Sequence, residues 1–411
     1  MVRPRILRTD RSYFVVLVGL LGAIGILDTA ILNPTIAAYA KVLGADVVLA
    51  SFIAGLYSIV AIPASLVMGL TIDVIGRKRA LIVGLGLTAL WIYGYSEATI
   101  PLHLLIFRVT HSISGSLVFP ASIAIIIDTT RRSLGRGIGV YWAVVGSALA
   151  IGSSVSAVLV QSLGFRSLFL FVVGISIVGM VIAFALPETA PERIMPRVSL
   201  RVIASSIRWL SIAYVSIFSL YFAFGAIVGS LSLAIMLNGA SPEEAASTVG
   251  IYIAIATMTS LPVFYIVGRV IHRIGPVRIL AMGIATTAVS QLLLTISLRP
   301  LYAHSSSVIL GFSIASVFVA STAIAALPKA RGASIGLHQT ANIAGVAVAA
   351  PISGLLLKHL GGSAPFAVAL AVQMLTLVVI IASRRVTRSA ELEFFDTHDE
   401  PGNPSPLREK R

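Results

Sequence analysis

Two ionisable residues, Asp28 and Arg108, interrupt long apolar stretches of the sequence. Asp28 lies within the segment LDTAILNP and Arg108 within FRVTHSISG. A charge inside such a hydrophobic run is costly unless it is paired, so both residues are functional candidates. A carboxyl group beside a guanidinium can exchange protons or hold a charged ligand, and the alternative is a purely structural pair that joins two helices.

The predicted helices place both residues at one depth. If helix 1 runs outward from residue 14, Asp28 lies about 21 Å along it. Helix 4 then runs inward from residue 101, which puts Arg108 roughly 10 Å from the outer face of an apolar layer about 30 Å thick. The two side chains are therefore expected to meet.

Other polar residues lie close to this predicted pair. His111 follows Arg108 by one helical turn, and we expect it either to join a proton relay or to pack between helices. Further candidates for contacting a ligand are Asn33, Tyr57, Tyr221, Phe222, Gln339 and Asn342. Each of these is equally compatible with an ordinary interhelical contact.

The composition is that of an integral membrane protein. Hydrophobic residues make up 57% of the chain and charged residues 11%, with a mean hydropathy of +0.98, whereas soluble domains are about 25% charged. Apolar windows of about 20 residues predict an all-α protein with twelve transmembrane helices. These are 14–35, 47–70, 80–96, 101–128, 136–161, 167–186, 210–237, 247–270, 277–297, 306–327, 333–357 and 364–383.

The positive charges predict the topology. All but five of the 30 Lys and Arg residues fall in segments expected on one side, which places both termini in the cytoplasm of a multi-pass plasma-membrane protein. A cleaved signal sequence ending near Ala40 is the alternative for the start, but it would leave an odd number of helices. The predicted segments are a lead (1–13), a six-helix half (14–186), a linker (187–209), a second half (210–383) and a disordered tail (384–411).

Several function classes are excluded by the sequence. The net charge of +14 does not indicate nucleic-acid binding, because the cations follow the topology. Cysteine is absent, so thiol catalysis and cysteine metal sites are excluded. We find no phosphate-binding loop, metal-ligand cluster or hydrolase triad, and we therefore expect neither an enzyme nor a cofactor or bound metal.

One motif between predicted helices 2 and 3 recurs in the second half of the chain. The first copy, GLTIDVIGRKR, begins at Gly69, and the second, GRVIHRIGPVR, begins at Gly268. Within the second copy His272 replaces Asp73. The chain is therefore expected to contain two parallel repeats of six helices each.

The first copy resembles the GxxxDxxGRKR motif of the major facilitator superfamily of secondary transporters, a known example of two repeated six-helix halves. The resemblance implies a monomer that carries small molecules across the lipid bilayer by rocking its halves about a central site. It also implies that helices 1 and 4 line that site. The implied partners are a small-molecule substrate and protons.

The resemblance further implies a cytoplasmic gate. Its residues are Gly69, Asp73, Gly76, Arg77, Arg79 and Asp128. The two glycines would let backbones approach closely at the turn, and Asp73 and Arg77 would join Asp128 at the inner end of helix 4. The alternative is that these charges only set the topology.

The function implied by the resemblance is proton-coupled export of amphipathic organic molecules, with Asp28 exchanging a proton against substrate and Arg108 modulating that exchange. Arg108 matches the arginine of the family's helix 4 motif, and His111 and Ser112 replace its usual glutamine and glycine. The exporter signature of helix 5 keeps Gly152 but lacks the proline. Two alternatives remain open: proton-coupled uptake of a small metabolite or organic anion, and a non-transporting receptor or scaffold.

The topology has a direct test. Single cysteines introduced at Ser199 and Ser363 should react with a membrane-impermeant thiol reagent from opposite sides of the membrane, since the linker is predicted to be cytoplasmic and the loop before the last helix is not. Reaction of both from the same side would contradict the predicted topology.

Overall fold

The computed structural model describes residues 23–129, 134–186, 188, 200–327 and 331–383, which form helices and contain no strand. In chain order the helices are α1 (Ala23–Leu32 and Ile36–Val42), α2 (Val47–Ile75), α3 (Arg77–Ser96), α4 (Pro101–Thr129), α5 and α6 (Leu134–Phe184, before and after Gly164), α7 (Leu200–Ala226, continued by the π-helix Ile227–Leu231 and by Ser232–Leu237), α8 (Pro242–Ile274), α9 (Pro276–Ile296), α10 (Pro300–Ala325), α11 (Arg331–Leu360) and α12 (Ala364–Ala382).

The helix lengths confirm the all-α membrane fold. Within the described ranges, nine helices are long and apolar enough to cross a membrane, or ten if the bent pair in α1 is one span. The run that ends at Phe184 counts once in that number, although Gly164 breaks it with φ 75° and ψ 178°. When the two helices of that run are counted separately and the 20-residue α3, which is not among the nine, is added, the described helices are consistent with twelve spans.

Some predicted helix ends are wrong. α1 does not end at residue 35 but bends by 48° and continues to Val42. Only Gly76 separates α2 from α3, and α7 begins at Leu200, inside the predicted linker 187–209. Hydropathy windows miss the ends of α2 and α7 because a helix can extend beyond the apolar layer with polar residues.

Glycine explains the shortness of the turn between α2 and α3. Gly76 has φ 94° and ψ 153°, and its repeat partner Gly275 has φ 93° and ψ 144°, a region essentially restricted to glycine. Gly69 differs, because it is helical and a Cβ there would meet nothing within 4 Å. The expectation that Gly69 permits a close backbone approach is therefore wrong, whereas the repeat of the turn is present.

The turn at Gly76 docks on the end of α6. The Lys78 amide donates to Glu188 Oε1 (3.2 Å) and the Lys78 ammonium donates to the Phe184 carbonyl (2.6 Å). The side chains of Asp73 and Asp128 lie outside the described residues, so the gate network proposed from the motif stays a prediction. Glu188 is an acidic partner of this turn that the sequence reasoning did not name.

The two halves meet along two helix pairs, α2 with α11 and α5 with α8. Glycines bring the pairs close together: a Cβ on Gly354 would lie 2.5 Å from Cβ of Ser51, and one on Gly250 would lie 3.0 Å from Cβ of Ala157. Ser51 Oγ lies 2.9 Å from the Ala350 carbonyl across the first pair. These contacts lie near the ends at which α2 and α8 begin, so the halves are joined tightly there.

We expect Gly76→Ala to destabilise the protein by about 1–3 kcal/mol, because alanine avoids this backbone conformation and Cβ would lie 2.8 Å from Glu188 Oε1. Gly69→Ala is the matched control, and it should be neutral or stabilise by up to about 1 kcal/mol through helix propensity. Thermal unfolding of the purified variants in detergent measures both. Equal effects of the two substitutions would show that the backbone conformation at Gly76 is not limiting.

Candidate functional site

The position of Asp28 depends on a break in α1. Pro34 has no backbone N–H and ends the regular hydrogen-bond ladder. The Thr35 amide then donates to the Leu32 carbonyl (2.9 Å), which leaves the Ile31 carbonyl without its helical donor. Ser156 of α5 supplies the missing bond, donating to the Ile31 carbonyl at 2.7 Å.

α5 also packs closely on α1 beside Asp28. A Cβ on Gly152 would lie 2.7 Å from Cβ of Ala30 and 3.2 Å from Cδ2 of Leu27. The glycine retained from the exporter signature therefore has a packing role here, because a larger residue would push α1 away from α5. Together with Ser156 it holds the turn of α1 that carries Asp28.

Asp28, His111 and Tyr95 form a buried hydrogen-bonded chain across α1, α4 and α3. Asp28 Oδ2 lies 3.0 Å from His111 Nε2, and His111 Nδ1 lies 2.9 Å from the Tyr95 hydroxyl. Asp28 is 3% exposed, and His111 and Tyr95 are fully buried. Asp28 Oδ1 also accepts from the Thr29 hydroxyl (3.0 Å). His111 is thus the direct partner of Asp28 rather than a simple packing residue.

The chemistry of the three groups determines the hydrogen positions. An ionised Asp28 can only accept, so Nε2 of His111 then carries the proton that it donates to Asp28. In a neutral imidazole Nδ1 becomes the acceptor, and the Tyr95 hydroxyl donates to it. If Asp28 is protonated instead, it donates to Nε2, and Nδ1–H donates to the Tyr95 oxygen. The two arrangements differ by one proton, and the direction of the Tyr95 bond changes when the chain takes up or releases it.

Arg108 lies beside this chain but is not the ion-pair partner of Asp28. Its guanidinium stands 5.0 Å from the Tyr57 ring centroid, and one nitrogen lies 3.4 Å from the Ala54 carbonyl. Among the described residues no ion pair joins Arg108 to Asp28, which corrects the predicted direct pair. Arg108 is 2% exposed, and its Nε has no hydrogen-bond partner in the described structure.

Tyr57 covers the Arg108 guanidinium because α2 and α4 approach closely. A Cβ on Gly115 would lie 2.2 Å from the Tyr57 hydroxyl, so only glycine leaves room for this ring. Ser112 Oγ donates to the Tyr57 carbonyl at 2.7 Å. The five residues Asp28, Tyr57, Tyr95, Arg108 and His111 are called the Asp28 cluster below.

The structure separates the cluster from other candidates. Asn33 lies at the bend of α1, five residues after Asp28 and hence more than one helical turn away. Tyr221 and Asn342 hydrogen-bond to each other between α7 and α11. Sequence reasoning missed Tyr95 altogether, because a tyrosine in an apolar helix carries no signal that it faces a histidine on the next helix.

The second half places hydroxyl groups where the first half has ionisable ones. Tyr252 of α8 lies 2.7 Å from the Ser306 hydroxyl, and Ser290 lies 2.9 Å from the same hydroxyl. The buried His338 lies 2.8 Å from the Ser321 hydroxyl and not beside a carboxylate within the described chain. The carboxylate–histidine pair is therefore a feature of the first half.

The fold and this asymmetric core define a class of membrane carrier with two related halves. The sequence model of the Major Facilitator Superfamily matches residues 18–327 and 213–410. The chain belongs to this superfamily, and it is a membrane transporter of small molecules. A search of curated proteins finds no significant relative.

Solved structures support the same fold. The chain is similar to a variant of the nucleoside transporter NupG (TM-score 0.74, 11% identity, covering 90% of this chain and 99% of that one). It is similar to a D-xylose-proton symporter (TM-score 0.73, 15% identity, 89% and 96%). It is also similar to a POT family transporter in complex with 5-aminolevulinic acid (TM-score 0.71, 15% identity, 91% and 97%). At these identities the likeness shows the fold alone.

The pairing of Asp28 with His111 can be tested by stability. His111→Ala should cost about 3–5 kcal/mol, because it leaves a buried carboxylate without its partner. The double variant Asp28→Asn/His111→Gln should lose much less, since two amides can exchange a neutral hydrogen bond at this site. Thermal unfolding in detergent gives the comparison. A double variant as unstable as His111→Ala would contradict the assignment.

Proposed function

We propose that this transporter is proton-coupled and that Asp28 and His111 together carry the proton. The observation that supports the proposal is the 3.0 Å contact between the two buried groups. A carboxyl group and an imidazole are the side chains best suited to exchange protons near neutral pH. Inside a membrane protein, such a pair marks a proton pathway more often than a structural staple.

The Asp28 cluster is connected to the seam between the halves through α2. Arg108 donates to the carbonyl of Ala54, and the next residue, Gly55, packs on α11 so closely that a Cβ would lie 2.9 Å from Pro351. Displacement of α2 during rocking would therefore alter the surroundings of Arg108 and also of His111, because the ring centroid of Tyr57 on α2 lies 5.2 Å from that of His111. α2 is therefore the helix through which protonation of the cluster and the motion of the two halves would influence each other.

The charge of Arg108 favours an organic anion as the substrate. Asp28 is engaged by His111, so Arg108 is a buried guanidinium that lacks a carboxylate partner among the described residues and has an unused donor at Nε. A guanidinium in this state fits a carboxylate or phosphate group. To reach it, the anion would replace the Tyr57 ring that now covers one face.

The proton could move in the same direction as the substrate, which is symport, or in the opposite direction, which is antiport. Uptake of an anion together with a proton agrees with an Arg108 that lacks a carboxylate partner among the described residues and lies beside a protonatable pair. Export of amphipathic compounds, which the family motifs suggest, would use the same pair in exchange. We favour the anion, because amphipathic cations would meet a fixed positive charge in Arg108. A receptor or scaffold on this fold would bind ligand without moving it.

A two-stage experiment tests the proposal. Purified protein is first screened for thermal stabilisation by organic anions, nucleosides, sugars and amphipathic cations at two pH values. The best compound is then followed in reconstituted vesicles with and without an imposed pH difference. Accumulation that exceeds equilibration identifies a transporter, and its direction relative to the pH difference identifies symport or antiport.

In these vesicles we expect Asp28→Asn and His111→Gln to abolish the accumulation driven by the pH difference, while passive exchange of substrate remains. The physical reason is that neither variant keeps the pair that holds the proton. His338→Gln is the matched control, since His338 is an equally buried histidine bonded to Ser321, and it should keep gradient-driven accumulation. Gradient-driven accumulation that survives in Asp28→Asn would reduce the pair to a structural role.

A further inference from the structure

A groove lies at the surface of the seam between α2 and α11. It encloses about 420 Å³, and its apolar walls come from both halves of the protein. Phe52 on α2 is 36% exposed, and Leu355 on α11 is 49% exposed. The solvent at an apolar surface of a membrane protein is the bilayer, so walls of this kind fit the acyl chain of a lipid.

The groove has a charged rim at one end only. Asp46 at the start of α2 and Lys358 and His359 at the end of α11 line it there. Pro351, which also lines the groove, precedes Lys358 by seven residues, so the apolar part reaches about 10 Å into the membrane. Charges at the membrane surface above an apolar channel match the headgroup and the acyl chain of a phospholipid.

The sign of the rim favours an anionic headgroup. Both carboxylate oxygens of Asp46 already have partners, because one accepts a hydrogen bond from the Leu49 amide at 2.8 Å and the other lies 3.5 Å from the Lys358 ammonium. The positive charge of Lys41 also interacts electrostatically with Asp46, so the positive charges of two lysines lie near one carboxylate. An ammonium has three donors, and the Lys358 group is 51% exposed, which leaves it free to bind a phosphate as well.

The second seam offers a natural comparison. A groove of about 540 Å³ lies between α5 and α8 at the related position of the fold. Its polar lining consists of neutral side chains, Ser154, Gln161, Ser162 and Ser247. Both grooves can accept an acyl chain, but only the groove between α2 and α11 carries charge.

We propose that the groove between α2 and α11 binds an anionic phospholipid, with its phosphate on Lys358 and His359 and one acyl chain along Phe52 and Leu355. Because the lipid contacts α2 of one half and α11 of the other, it stabilises the arrangement in which these ends are joined. Anionic lipid would thus favour the conformation described here over one in which this seam opens.

The test uses the purified full chain and native mass spectrometry, with phosphatidylglycerol as the anionic probe and phosphatidylcholine as the neutral one. We expect the first to bind about fivefold more tightly, the effect of one cation at a membrane surface. Lys358→Gln should remove this preference. Arg299→Gln, which deletes an exposed cation in the loop before α10, should leave it unchanged.

A second pair of variants tests the acyl-chain seat. Leu355→Trp fills this groove and should weaken binding of both lipids, whereas Val158→Trp places the same bulk in the neutral groove and should leave the phosphatidylglycerol preference intact. Thermal unfolding in phosphatidylcholine alone verifies that each variant is folded. The proposal would be overturned if Lys358→Gln and Arg299→Gln reduced the phosphatidylglycerol preference equally, or if Leu355→Trp had no effect on lipid binding. It would also be overturned if Leu355→Trp removed a dimer of the protein from the spectrum and left the lipid adducts unchanged.

Discussion

The cost of placing charge inside an apolar helix bundle constrains the first half of this transporter. Asp28 and Arg108 are almost completely buried, and a buried charge persists only where neighbouring groups compensate for lost hydration. The fold compensates the two in different ways. Asp28 is hydrogen-bonded to the His111 ring and accepts a hydrogen bond from the Thr29 hydroxyl. The Arg108 guanidinium packs against the Tyr57 ring and donates to the backbone carbonyl of Ala54.

This compensation depends on helix packing that is unremarkable in sequence. Gly115 leaves room for the Tyr57 hydroxyl, and Gly152 leaves room for α1. Ser156 satisfies a carbonyl that the break at Pro34 has freed. The polar cluster and the small residues around it therefore form one unit, since a larger residue at either glycine would move the helix that carries an ionisable group.

The two halves have similar backbone conformations but different buried polar side chains. Gly76 and Gly275 adopt nearly the same dihedral angles, and Gly164 and Gly361 both have positive φ. The break in α1 has a counterpart in the π-helix of α7, a distortion that often occurs at functional sites. In the second half, however, hydroxyl groups occupy the buried polar positions around Tyr252. A repeated scaffold in which only the first half of the described chain carries a buried carboxylate–histidine pair suits a carrier whose two halves surround a single asymmetric site.

The sequence by itself determined the membrane class, the two repeats and the choice of Asp28, Arg108 and His111 as candidates. Hydropathy, glycine spacing and the rarity of intramembrane charges are local properties, so they can be read along the chain. Helix ends were less accurate, because hydropathy does not detect a helix that continues past the apolar layer.

Only the tertiary structure decided which of these groups meet. Depth along two helices placed Asp28 and Arg108 at one level, but the rotation of each helix about its axis determines which side chain faces the partner. That rotation follows from packing against α3 and α5, and it turns His111 rather than Arg108 towards Asp28. Tyr95 and Ser156 entered the site for the same reason, since contacts between helices distant in sequence leave no local pattern.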